Sequence, residues 1–92
     1  MEILQENNET KGRFFIEMDG KIEAEMTYTW AGANRFIIDH TEVNDVLKGQ
    51  NAGKQMVLKA VDYARQNQIK ILPLCPFALS VFQKMPEIRD VL

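Results

Sequence analysis

The chain is short of most things that would place it quickly. It has a single cysteine, so no internal disulfide can form. It has no surplus of basic residues: 11 Lys and Arg stand against 13 Asp and Glu, and none of the basic ones cluster in a stripe. Nucleic acid is therefore not expected as a partner, because neutralising phosphates takes grouped Lys and Arg. No apolar run approaches the roughly 20 residues that a bilayer-spanning helix needs, so no membrane partner is expected. The start, "MEILQENNETKGRFF", has no basic segment leading into an apolar block, so a secretory leader is not expected either. These absences point to a cytoplasmic protein with a free thiol. Histidine also occurs only once, and no metal site is expected.

What is present fits one modest core in 92 residues. Residues 1–12 read as a polar, Asn/Glu-rich lead-in, and residues 13–92 as a single domain. "RFFIEMDGKIEAEMTYTW" holds a hairpin, since Asp19-Gly20 is a strong two-residue turn signal. Its second arm alternates: Ile22, Ala24, Met26, Tyr28 and Trp30 on one face, Glu23, Glu25, Thr27 and Thr29 on the other. "RFIIDHTEV" is a third strand after the turn "AGAN". From "NAGKQMVLKAVDYARQNQ" onward the period becomes helical, with Met56, Val57, Ala60, Val61 and Ala64 recurring at helical spacing. "IKILPLC" is a fourth strand. "PFALSVFQKM" is a short helix with Pro76 suited to its first turn and Pro86 stopping it. The expected fold is α+β, in the order βββαβα: a mostly antiparallel sheet, a crossover helix and a short C-terminal helix.

The segment "LKGQNAGKQM" is the most pointed feature. Glycine costs a helix about 0.5–1 kcal/mol relative to alanine, yet Gly49 and Gly53 bracket the start of the long helix. A helix N-terminus carries unpaired N–H groups and partial positive charge, which makes it a natural anion site. Lys48 and Lys54 add positive charge beside it. A pyrophosphate suits these parts; ordinary turn chemistry suits them too. The spacing is neither that of a Walker loop nor that of a dinucleotide fingerprint.

Among chemically active side chains, Cys75 lies between a strand and a helix start. A thiol there is drawn toward thiolate by the helix's positive end, or is a small core residue. His40, near the end of the third strand, is a candidate base, since histidine ordinarily titrates near about 6.5; it also reads as a histidine hydrogen-bonded within the sheet. Glu42 shares its face unless a bulge intervenes, either as a proton acceptor through water or as a solvated carboxylate. Asp39 points to the other face. Phe77 reads as packing or as cleft lining. Glu23 and Glu25 form a wet, acidic strand face.

"DHTEV", "LKGQNAGKQMVLKAVDYARQ", "ILPLCPFA" and "KMPEIRDVL" together closely resemble the compact, single-domain GNAT-like N-acetyltransferases of the YjdJ type, from about Ile22 to the C-terminus. In that superfamily a loop of Arg or Gln, two free positions, Gly, a free position and Gly or Ala holds the pyrophosphate of acetyl-CoA. Lys48, Gly49, Gln50, Asn51, Ala52 and Gly53 occupy those six positions here. Lys48 keeps charge but lacks a planar donor group, and Asn51 stands where the pattern has glycine. The resemblance implies that the strands before the loop and after the helix splay apart around pantetheine. Thr41, Glu42 and Val43 would then align that arm, residues 48–54 the pyrophosphate, and Cys75 and Phe77 would border it. The implied activity is acetyl transfer to an unidentified amine, with Cys75, His40 and Glu42 as the chemical groups. Direct attack by the amine is favoured by analogy over an acetyl-Cys75 intermediate. The alternative is a non-catalytic CoA- or acyl-CoA-binding module, or a protein-interaction module, retaining the fold. A monomer or weak homodimer is expected.

Overall fold

The computed structural model describes all 92 residues. Five strands form one sheet in the spatial order β1-β2-β3-β4-β5: β1 (Leu4–Asn7), β2 (Lys11–Met18), β3 (Lys21–Trp30), β4 (Arg35–Val43) and β5 (Lys70–Pro73). The first four pair antiparallel and β5 joins β4 in parallel. The long helix α1 (Ala52–Asn67) makes the crossover between them, and α2 (Pro76–Lys84) follows β5. Short 3-10 turns at Asp45–Leu47 and Pro86–Val91 complete the chain.

The β2–β3 hairpin turns at Asp19 and Gly20, both with positive φ (52° and 79°). That is the mirror-image turn whose twist matches paired strands. The alternation along β3 sorts as expected: Ala24, Met26 and Tyr28 are buried. They meet Met56, Val57, Ala60, Val61 and Ala64 of α1 in a core of 22 buried residues. Tyr28 stacks on Phe36 at 4.2 Å between ring centroids. The helices cover this face only. The opposite face stays open, and there Arg13 bridges Glu6 (2.6 Å) and Glu25 (2.7 Å) while lying over the Phe15 ring.

The first twelve residues differ from a polar lead-in. Leu4–Asn7 is an edge strand paired with β2, and Lys11 already begins β2. Its anchorage is polar, which is why hydropathy does not reveal it. Gln5 Nε2 donates to the Tyr28 hydroxyl (2.9 Å). That hydroxyl and the Trp30 indole N–H both donate to Asn7 Oδ1 (3.1 and 2.8 Å). The other edge, β5, is blunted. Alternate amides of a parallel edge strand face outward, and one such position is Pro73, which has no N–H to offer a further strand.

Two irregularities set the geometry at the end of β4. β4 and β5 pair only from Arg35–Lys70 to Ile38–Pro73; beyond Ile38, β4 runs on through Val43 with no strand on that side. The amides of Leu74 and Cys75 both donate to the Ile38 carbonyl as the chain leaves the sheet (3.2 and 3.0 Å). In addition, Thr27 pairs with His40 while Tyr28 pairs with Ile38, so Asp39 is a bulge in β4. The extra residue reverses the alternation. Phe36 and Ile38 face the core before the bulge, and Thr41 and Val43 face the helical side after it, opposite Met26 and Ala24.

Candidate functional site

A cavity of about 540 Å³ opens where β4 and β5 part. Its walls are the end of β4 (Thr41, Val43), the loop and first turn of α1 (Leu47–Gly49, Asn51–Lys54) and one face of α2. The α2 face is Phe77, Ser80, Val81 and Lys84, spaced i, i+3, i+4, i+7, followed by Met85. The lining is apolar with a basic fringe: Lys48, Lys54 and Lys84 are its only charged residues.

The head of α1 is built against its own stability. Asn51, at the N-cap, adopts the left-handed conformation (φ 56°, ψ 32°), and its side chain makes no capping hydrogen bond. The first turn has no acidic residue. A missing cap forgoes about 1 kcal/mol, and a lysine at that end opposes the helix dipole. The amides of Gly49, Asn51, Ala52, Gly53 and Lys54 have no acceptor anywhere in the chain; the first to pair is that of Gln55, with the Asn51 carbonyl. An anion fits such a row of free N–H groups.

The two glycines serve different purposes. Gly49 has φ +84°, with open space around it, so its requirement is conformational. Gly53 is in ordinary helix, but a Cβ there would lie 2.6 Å from the Phe77 ring. Its lack of a side chain lets α2 close against α1. Asn51 bears the strain of the left-handed position. Asn51→Gly should therefore stabilise the fold by about 0.5–1 kcal/mol. A denaturation midpoint that falls instead would show that Asn51 is held by something more than tolerance.

Cys75 is buried (5 % exposed) at the N-cap of α2, its thiol donating to Thr41 Oγ1 at 3.3 Å. Burial pushes the thiol's pKa up, but the Thr41 hydroxyl and the backbone N–H groups of Ala78, Phe77 and Thr41 outweigh it, and the net shift is downward. The folded thiol thus adds stability as pH rises toward its ordinary value, and that contribution is lost as pH falls through the lowered folded value. Thr41→Val should move the thiol's titration upward, read from the pH dependence of the Cys75 Cβ chemical shift. An unmoved titration would assign the effect to the helix amides instead.

The candidate residues do not form one cluster. Thr41, Val43, Lys48, Gly49, Asn51, Ala52, Gly53, Lys54 and Phe77 line the cavity. Gln50 does not: its amide bonds the Leu47 carbonyl and its carbonyl accepts from Gln55 Nε2. Cys75 reaches the cavity only through Thr41. His40 and Glu42 are 3.6 Å apart, as same-face neighbours should be, and both are exposed. They pair with Thr27 and Glu25 on the open face of the sheet, opposite to Thr41 and Cys75. The bulge at Asp39 produces this division. Ser80, Val81, Lys84 and Met85 are additions that no motif announced; the helical spacing from Phe77 was their available signal.

A sheet splayed after four antiparallel strands, with an uncapped helix start at the fork, is the frame of an acyl-CoA N-acyltransferase. The sequence profile of the GCN5-related N-acetyl-transferase family matches residues 13–91, and the chain belongs to that family. A GCN5-like protein of Staphylococcus aureus, solved by NMR, is 37 % identical, with a TM-score of 0.73, covering 98 % of this chain and 85 % of its own. A ribosomal-protein-alanine N-acetyltransferase of Brucella melitensis shares the fold at 14 % identity (TM-score 0.69; 85 % of this chain, 62 % of that one). So does a Clostridium acetobutylicum acetyltransferase crystallised with acetyl-CoA, at 15 % identity (TM-score 0.65; 82 % and 56 %). No curated protein matches the chain. No helix is long and apolar enough to cross a membrane.

Proposed function

We propose that the chain binds acetyl-CoA in the cleft between β4, α1 and α2, and directs its acetyl group to an amine by direct attack. The observation that carries this reading is the row of free amides at Gly49 and Asn51–Lys54, facing an apolar cleft whose only charges are positive. Bound acetyl-CoA supplies an activated thioester. The amides, with Lys48 and Lys54, would hold the pyrophosphate. The unpaired edge of Thr41–Val43 would align the pantetheine arm along β4.

The two faces of β4 divide the proton chemistry. On the open side, His40, with Glu42 beside it, would take the proton that an ammonium must lose before it can attack. On the helical side, the Thr41 hydroxyl would give its proton to the departing thiolate and regain one from Cys75 Sγ, which donates to it. With no helical lobe over the outer face, the acceptor side is open. It suits a polyamine, a protein lysine, a chain N-terminus or a small amine metabolite.

The test is CoA release from acetyl-CoA with a panel of those amines, with intact-mass measurement of the protein alone. Direct attack predicts acetylated amine and an unmodified Cys75. Acetyl on Cys75 without acceptor would replace direct attack with a covalent route. Acetyl-CoA binding with no amine turned over would favour a CoA-sensing module, which the division of the candidate chemical groups between two faces also motivates.

A further inference from the structure

Resting on the acetyl-CoA reading, we infer that Lys84 contacts the ribose 3′-phosphate of CoA and gives the cleft a preference for CoA over its 3′-dephospho form. A lysine in the last turn of a helix has an obvious structural role, pairing with the free carbonyls there. Lys84 is relieved of it. Arg89 reaches back to donate to the Phe82 and Gln83 carbonyls, and the Met85 amide takes the Val81 carbonyl. The Lys84 ammonium makes no hydrogen bond or ion pair, as is also true of Lys48 and Lys54 in the same cleft. It lines the cavity on the same stripe of α2 as Phe77 and Ser80.

Its place along that stripe separates it from Phe77, the α2 residue that packs against the head of α1. Phe77 touches Gly53, and Lys84 is about two turns further along α2, roughly 10 Å by helical rise. The pyrophosphate charge is already answered at the α1 head by the free amides, Lys48 and Lys54. A third cation at that remove, in a cleft without a carboxylate, fits a ligand with a second anionic group. CoA has one in the phosphate on its ribose, and the dephospho form lacks it.

The experiment is calorimetric binding of CoA and of 3′-dephospho-CoA to the native chain, Lys84→Gln and Lys84→Arg. A single exposed ion pair, at the upper end of its range, predicts a native preference for CoA of about five-fold. Lys84→Gln erases that preference with dephospho-CoA affinity held within about two-fold, and Lys84→Arg retains it. Equal weakening toward both ligands would place Lys84 at the pyrophosphate and overturn the inference, as would a preference that survives in Lys84→Gln. A native chain that binds neither ligand would remove the cofactor reading itself, and the inference with it.

Discussion

Lys54→Glu should weaken acetyl-CoA binding at the proposed site about 30-fold and at the same time stabilise the folded chain. Lys54 is the third helical residue of α1, two past Ala52. A glutamate there is in the capping-box position, where its carboxylate can turn back to the N-cap amide, and Asn51 has that amide free. The same carboxylate answers the helix dipole. Together these effects are worth about 1 kcal/mol of stability. For binding, the change removes a cation from the cleft and fills part of the anion site with the protein's own carboxylate. A loss of about 2 kcal/mol follows for one charge-assisted contact, which corresponds to roughly 30-fold at 1.4 kcal/mol per tenfold. Calorimetry and chemical denaturation on one preparation test both halves. Higher stability with unchanged affinity would mean that the ligand does not use the head of α1.

Gly12→Val destabilises the fold by about 3 kcal/mol, the upper part of the overpacking range. Gly12 pairs with Tyr28 across β2 and β3, and even a single Cβ would lie 2.2 Å from the hydroxyl-bearing carbon of the Tyr28 ring. The ring has no room to retreat: it is 1 % exposed, stacked on Phe36 and held through its hydroxyl by Gln5 and Asn7. Moving it releases β1 as well as disturbing the core. For a domain of this size the melting temperature should fall by about 12–20 °C. A fall of only a few degrees would show that Tyr28 can take another rotamer, and that its hydrogen bonds to β1 contribute little.

Periodicity is a good guide where burial is one-sided and weak where polar groups hold the chain. The hairpin at Asp19-Gly20, the buried stripe of α1 and the Pro76–Pro86 limits of α2 are all legible, because each follows from a local rule of backbone or burial. β1 is not, because Gln5 and Asn7 secure it through Tyr28 and Trp30 and no apolar alternation marks it. The bulge at Asp39 is invisible for a different reason. Alternation continues on both sides of it, and only pairing with β3 shows that the parity has reversed. That one residue sends Thr41 toward Cys75 and leaves His40 and Glu42 on the opposite face, so candidates that look like a single cluster in sequence become two. The loop 48–53 is legible as a turn leading into a helix start, but the reason for Gly53 is not: the close neighbour is the Phe77 ring, which tertiary packing alone brings there.

The uncapped head of α1 and the free edge of β4 are the proposed seat of acetyl-CoA. An amide-resolved NMR titration with acetyl-CoA tests this placement most directly. The expected result is saturable shifts concentrated at Gly49, Asn51–Lys54 and Thr41–Val43, with smaller ones at Cys75 and Phe77 and none on the β1–β2 edge. No shifts at millimolar ligand, or shifts scattered over the open face of the sheet, would contradict it and leave the α1 head as turn chemistry in a chain that keeps the family's fold without its cofactor.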